Sequence, residues 1–122
     1  MIIPTLRYND APAAIDFLER AFGFERKAVY GDDGVVHHAE LTYGRGMVML
    51  GSTGRGDPQF DTRHSSAYVI VDEPDALRDR AQAAGAEITR ELQDTDYGSR
   101  EFSARDPEGN VWSFGTYDPF AT

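Results

Sequence analysis

The sequence predicts an α+β fold built from two tandem βαβββ modules. Three observations carry that expectation. Strand-like and helix-like patterns run in the order strand, helix, strand, strand, strand, and then the order starts again. Pro12 is matched by Pro74 and Gly23 by Gly85, the same offset of 62 residues in both cases, so each helix has a proline near its start and a glycine at its stop. Between the copies, "TGRGDPQFDTRH" at residues 53–64 is polar, rich in turn formers and without periodicity. The expected organisation is a single domain over residues 1–122, with module one at 1–52, a linker at 53–64 and module two at 65–122.

Module one opens with "IIPTLRY", a strand with Ile3, Thr5 and Arg7 on one face and Pro4, Leu6 and Tyr8 on the other. "NDAPAAIDFLERAFG" follows as a helix, capped by Asn9 or Asp10 and stopped by Gly23. Ala14, Ile15, Leu18, Ala21 and Phe22 recur at spacings of three and four, giving one buried stripe. Three strands are expected at 24–31, 35–43 and 47–52, joined by turns at Asp33-Gly34 and Gly44-Arg45-Gly46. In module two, "SAYVIVDE" is the strand and "EPDALRDRAQAAGA" the helix, and "EITRELQ", "SREFSAR" and "NVWSFGTY" are three further strands.

Composition narrows the function. The chain has 40% apolar and 27% charged residues, a balance typical of a soluble globular domain. It has no cysteine, which removes disulfides, thiolate metal sites and cysteine nucleophiles together and fits a cytoplasmic location. No apolar run approaches the roughly 20 residues of a membrane helix, and "MIIPTLRYND" lacks the basic flank of a signal peptide. A net charge of −9 argues against nucleic acid and favours a cationic or neutral ligand. "GRGMVMLGSTGRG" lies between strands and lacks the Lys-Ser/Thr ending of a phosphate loop. His64-Ser65-Ser66 are neighbours in sequence, which is not triad geometry. No spacing among the 21 acidic residues singles out an acid/base pair.

The doubled module resembles the vicinal oxygen chelate superfamily, which includes glyoxalase I, extradiol dioxygenases and bleomycin-resistance proteins. So does the closing stretch "RDPEGNVWSFGTYDP", where Asp106-Pro107-Glu108-Gly109 is the turn before the last strand. The resemblance covers nearly the whole chain. It implies curled mixed sheets that form a cup, with the helices packed outside. It also implies a homodimer, as in many members, an arrangement in which the cup can be completed across the interface.

In the metal-using members the resemblance implies four ligands, from the first and last strand of each module. Counting from the helix caps places these positions at Ile3, at Met49 or Leu50, at Ser66 and at Ser113. None is a competent donor for such an ion, and shifting by one residue finds Ile2, Pro4, Val48, Ser65, Trp112 or Phe114. No metal and no cofactor are therefore expected. This chain resembles the metal-free bleomycin-resistance-like members more than the lyases.

His37, His38 and Glu40 lie instead on the third strand, where alternation puts His38 and Glu40 on one face and His37, Ala39 and Leu41 on the other. Three readings stand for the pair. It is a Glu–His hydrogen bond on a half-exposed strand, a contact to a ligand in which Glu40 orients the imidazole, or part of a displaced metal site with His64. Arg7 is either a cation in the cup or a partner of Glu40. Tyr68 shares the face of Ser66 and Ile70, the inferred cup side, whereas Trp112 and Phe114 read as packing between sheet and helix. Met47 and Met49 offer adaptable apolar walls. The alternation of "SREFSAR" does not assign its faces.

The expected ligand-binding set is Thr5, Arg7, His38, Glu40, Met49, Ser66, Tyr68 and Ser113, with no catalytic residue. The expected function is metal-independent binding of a bulky, flat or cationic small molecule, an antibiotic in the manner of bleomycin resistance. The alternative is a metal-dependent lyase, isomerase or dioxygenase of the glyoxalase type, drawing its ligands from His38, Glu40 and His64.

Overall fold

The computed structural model describes residues 1–121 and has the doubled order that the sequence predicts. Module one comprises β1 (Thr5–Tyr8), α1 (Ala11–Phe17), β2 (Glu25–Asp32), β3 (Val35–Tyr43) and β4 (Gly46–Ser52). Module two comprises β5 (Ser66–Ile70), α2 (Pro74–Ala83), β6 (Glu87–Asp94), β7 (Arg100–Arg105) and β8 (Val111–Gly115). The sheets have the matching orders β1-β4-β3-β2 and β5-β8-β7-β6. In each, the strand before the helix pairs in parallel with the last strand of the module, and the other pairings are antiparallel. The sheets are curled and do not close. No helix among the described residues is long and apolar enough to cross a membrane.

Local chemistry accounts for the element ends. Asp10 caps α1 by accepting from the Ala13 amide at 3.1 Å. The helix then widens into a π-type turn over Leu18–Phe22 and stops at Gly23, whose φ of 86° suits glycine. Asp33 and Gly34 both take positive φ, the geometry of a tight hairpin turn. Four strands are shorter than their sequence patterns, β7 only by Ser99 at its start. β1 starts at Thr5, because Pro4 has no amide to donate, although its carbonyl accepts from Met49. β5 ends at Ile70 ahead of the bend that leads into Pro74, and β8 ends at Gly115. Gly46, expected in a turn, is the first residue of β4.

Both helices pack on the same side of the sheets around one core. The predicted stripe Ala14, Ile15, Leu18, Ala21 and Phe22 is buried in full. Phe22 sits 4.9 Å from Phe114 and 6.0 Å from Trp112 between ring centroids, so the end of the first helix is inserted against the sheet of module two. Arg80 of α2 donates to the Glu19 and Arg20 carbonyls, both at 2.9 Å, and so caps the π-type turn from the other module.

A second tie joins β1 to the turn before β8. Buried Asp106 accepts from the Tyr8 hydroxyl at 2.7 Å, from Trp112 Nε1 at 3.1 Å, and from the Glu108 and Asn110 amides. Glu108 in turn accepts from the Asn9 and Asp10 amides. Burial, reinforced by the charge of Asp106, pushes the Tyr8 phenol far above its ordinary value. The two modules are thus one body, and the sheet faces turned away from the helices remain open.

Candidate functional site

The open faces follow from strand alternation and register. In module one, Thr5, Met49 and Glu40 stand in one row across β1, β4 and β3. Met49 therefore lies on the open face, and the alternative position, Leu50, is buried in the core. His38 Nε2 and Glu40 Oε2 are 2.9 Å apart, and the imidazole stacks on Tyr30 with 6.3 Å between centroids. The hydrogen-bonded pair is the first of the three readings, and its face is the open one.

Arg7 corrects one expectation. Its guanidinium pairs with Asp61 at 3.3 Å, not with Glu40, and lies 5.6 Å from the centroid of the Phe60 ring. The segment expected as a plain linker therefore folds back over β1. Asp57 caps a short 3-10 turn at Pro58–Phe60, and Asp61 accepts from the Gly54 amide.

His64 is also elsewhere. It has a positive φ of 62° and its ring lies against Gly109, beside the turn that precedes β8. Among the described residues no three His, Asp or Glu side chains converge as an ion would require, so His38, Glu40 and His64 do not form a set.

In module two, Ser66, Tyr68 and Ile70 are exposed, whereas Ala67 and Val69 pack against the core. Tyr68 stands beside Ser113 in register, and Ser113 Oγ is 2.8 Å from Ser103 Oγ on β7. That hydrogen bond assigns the strand that alternation alone left open. Glu101, Ser103 and Arg105 belong to the open face, while Phe102 and Ala104 are core residues. Thr5 and Ser66 are brought together by a cleft of about 180 Å³ between β1 and β5, lined also by Trp112. A wider depression of about 600 Å³ lies around the Asp106–Gly109 turn, apart from the predicted residues.

The feature missed in the sequence is the carboxylate of Glu101, which is only 7% exposed although it faces the open side. The Tyr97 hydroxyl donates to both of its oxygens, at 3.1 and 3.0 Å. The rings of Tyr97 and Tyr117 meet edge-on at 5.7 Å, and the Tyr68 hydroxyl donates to the Tyr117 carbonyl at 2.7 Å. Gly115 makes this closeness possible. A Cβ there would stand 2.6 Å from Glu101 Cγ and 2.7 Å from the Tyr68 hydroxyl. The hydrogen bond to Glu101 raises the Tyr97 phenol above its ordinary value. Burial raises that of Tyr68, with Ser99 opposing and the charge of Glu101 adding.

The sequence matches the family model described as Glyoxalase/Bleomycin resistance protein/Dioxygenase superfamily over residues 3–114. The chain belongs to this superfamily. Among similar solved structures, TioX from Micromonospora sp. ML1 is 34% identical, with a TM-score of 0.82 over 93% of this chain and 95% of that one. The bleomycin-binding protein from bleomycin-producing Streptomyces verticillus, solved with copper(II)-bleomycin, is 28% identical, with a TM-score of 0.69 over 96% and 95% of the two chains. An uncharacterized protein of Mycobacterium tuberculosis is 33% identical over 92% of this chain and 71% of its own length.

Against the superfamily's metal-using pattern, the residues present do not fit an ion. Ile3 and Met49 are apolar, Ser66 is an exposed hydroxyl, and Ser113 is engaged by Ser103. The open face can instead supply aromatic surface, a few hydroxyls, two methionines and a desolvated carboxylate. Those groups suit recognition of an organic molecule.

Proposed function

We propose that this superfamily member is a metal-independent binding protein that sequesters a bulky, flat or amphipathic small molecule, cationic in at least one part. The carrying observation is the chemistry of the open face. The positions counted for metal donors carry apolar or hydroxyl side chains, and beside them the Tyr68 ring is partly exposed with its hydroxyl held by the Tyr117 carbonyl. Stacking and burial supply affinity in such a site, and a few polar groups fix orientation. The solved neighbour that binds copper(II)-bleomycin supports an antibiotic as the ligand class. The working form in this reading is a homodimer. Tyr30 and Ile70 are large exposed side chains on the open faces, and pairing would cover part of that surface.

The test is a panel of cationic and peptide antibiotics, bleomycin included, read by thermal shift, isothermal titration and resistance of cells expressing the protein. The expected result is binding of one class without turnover, unaffected by chelator. A panel that shifts no melting temperature and confers no resistance overturns the reading. So does stoichiometric zinc, nickel, iron or manganese in untagged protein, which would favour the glyoxalase-type alternative.

A further inference from the structure

We propose that Glu101 and the tyrosines 68, 97 and 117 form a cage for an aliphatic ammonium group, a protonated amine or a quaternary nitrogen, carried by the ligand. The inference rests on the binding reading above and names the chemical group that the site selects.

Glu101 carries a charge without a cation beside it among the described residues. A carboxylate removed from water is stabilised in two ways, by several hydrogen bonds or by a cation. Asp106 takes the first route, with donors from Tyr8, Trp112 and the turn amides. Glu101 is almost as buried and has one donor, the Tyr97 hydroxyl. It takes part in no ion pair among the described residues. Five arginines are paired with other carboxylates: Arg7 with Asp61, Arg26 with Glu19, Arg78 with Glu91, Arg100 with Asp75 and Arg105 with Glu87. Arg90, on the neighbouring strand, turns its guanidinium to the Gln93 amide oxygen.

What surrounds the carboxylate points to the missing partner. Tyr68, Tyr97 and Tyr117 are 41%, 59% and 48% exposed, so their rings border the open side of the position. Aromatic faces attract a cation, most strongly when it is partly desolvated, and a carboxylate at the base adds a fixed countercharge. Gly115 lets the Glu101 and Tyr68 side chains meet, since a Cβ there would collide with both. Both Glu101 oxygens already accept from the Tyr97 hydroxyl, which leaves no free edge for the two-point contact of a guanidinium. An ammonium group, compact and satisfied by ring faces and a single carboxylate, suits this set of side chains.

The experiment compares choline with its uncharged carbon isostere, in which carbon replaces the quaternary nitrogen. Binding is followed by the amide NMR shifts of Glu101, Gly115 and Tyr117. Choline should bind at least tenfold tighter than the isostere, and Glu101→Gln should abolish that preference. The glutamine retains an acceptor for Tyr97, so the fold should persist, which a thermal melt checks. Should Glu101→Gln fail to fold, Tyr117→Leu carries the test: it should weaken choline several-fold and leave the isostere unchanged. Equal binding of the two compounds, a preference that survives Glu101→Gln, or amides that choline does not move would overturn the cage. An antibiotic that binds Glu101→Gln as tightly as the parent would overturn the cage and leave sequestration standing. Choline selectivity without any antibiotic binding would do the opposite.

Discussion

Tyr68 and Val69 are neighbours in sequence with opposite duties. Tyr68 projects from the open face, whereas Val69 packs against the core, so the two side chains separate binding from stability. Tyr68→Ala should weaken a confirmed ligand at least tenfold, since stacking beyond area burial is worth about 0.5 to 1.5 kcal/mol and the lost contact area adds to it. Val69→Ala should lower stability by about 1 kcal/mol with little change in affinity. Titration and thermal melts of both variants decide it, and loss of binding in Val69→Ala would reverse the face assignment. The face of Tyr68 was legible because Ser66, Tyr68 and Ile70 alternate with small and branched apolar residues. Glu101 was not, because Arg100 and Glu101 put charge on both faces of their strand. Only the Ser103–Ser113 hydrogen bond separates them.

Among the elements, the turn before β8 carries most of the inter-module polar contacts. Asp106→Ala should cost about 3 kcal/mol, because it leaves the Tyr8 hydroxyl and the Trp112 indole without their shared acceptor. Tyr8→Phe should cost less, about 2 kcal/mol, since Asp106 keeps its other donors. The same pair sets an alkaline limit. The Tyr8 phenol is raised from an unfolded value of 10.0, so its contribution to stability is complete below that pH and declines as pH rises beyond it. Urea midpoints should therefore fall above pH 10.0 in the parent and fall less steeply in Tyr8→Phe. Tyr43, Tyr68 and Tyr97 are shifted in the same direction, so some slope should remain. An identical slope in parent and variant would remove Tyr8 from this role. Read from sequence, the turn was visible as Asp-Pro-Glu-Gly, but its grip on a tyrosine nearly a hundred positions earlier was not. Such a contact depends on how the modules dock.

The whole molecule is expected to associate. One chain leaves both curled sheets open and exposes the large side chains of Tyr30 and Ile70 on them. Sedimentation equilibrium should give twice the 13.5 kDa chain mass at micromolar concentration. A mass that stays at the monomer value, with and without ligand, would sink the dimer. The net charge of −9 bears on the ligand at this scale as well, since an acidic surface raises the local concentration of a cation. Affinity for a cationic drug should accordingly weaken with added salt.

The sequence by itself determined the doubled module, the apolar stripe of the first helix, the hairpin turns and the residue types at the positions counted for metal donors. Each of these depends on local rules: side-chain period, cap chemistry, proline and glycine geometry, and the identity of a residue at a counted place. The tertiary structure alone decided which residues meet across the chain. It gave Arg7 to Asp61 and Phe60 rather than to Glu40, set His64 apart from His38, and closed Tyr97 over Glu101. Those pairings depend on how a loop returns over a sheet and how strands settle in register. Partners far apart in sequence leave no periodic trace by which to find each other.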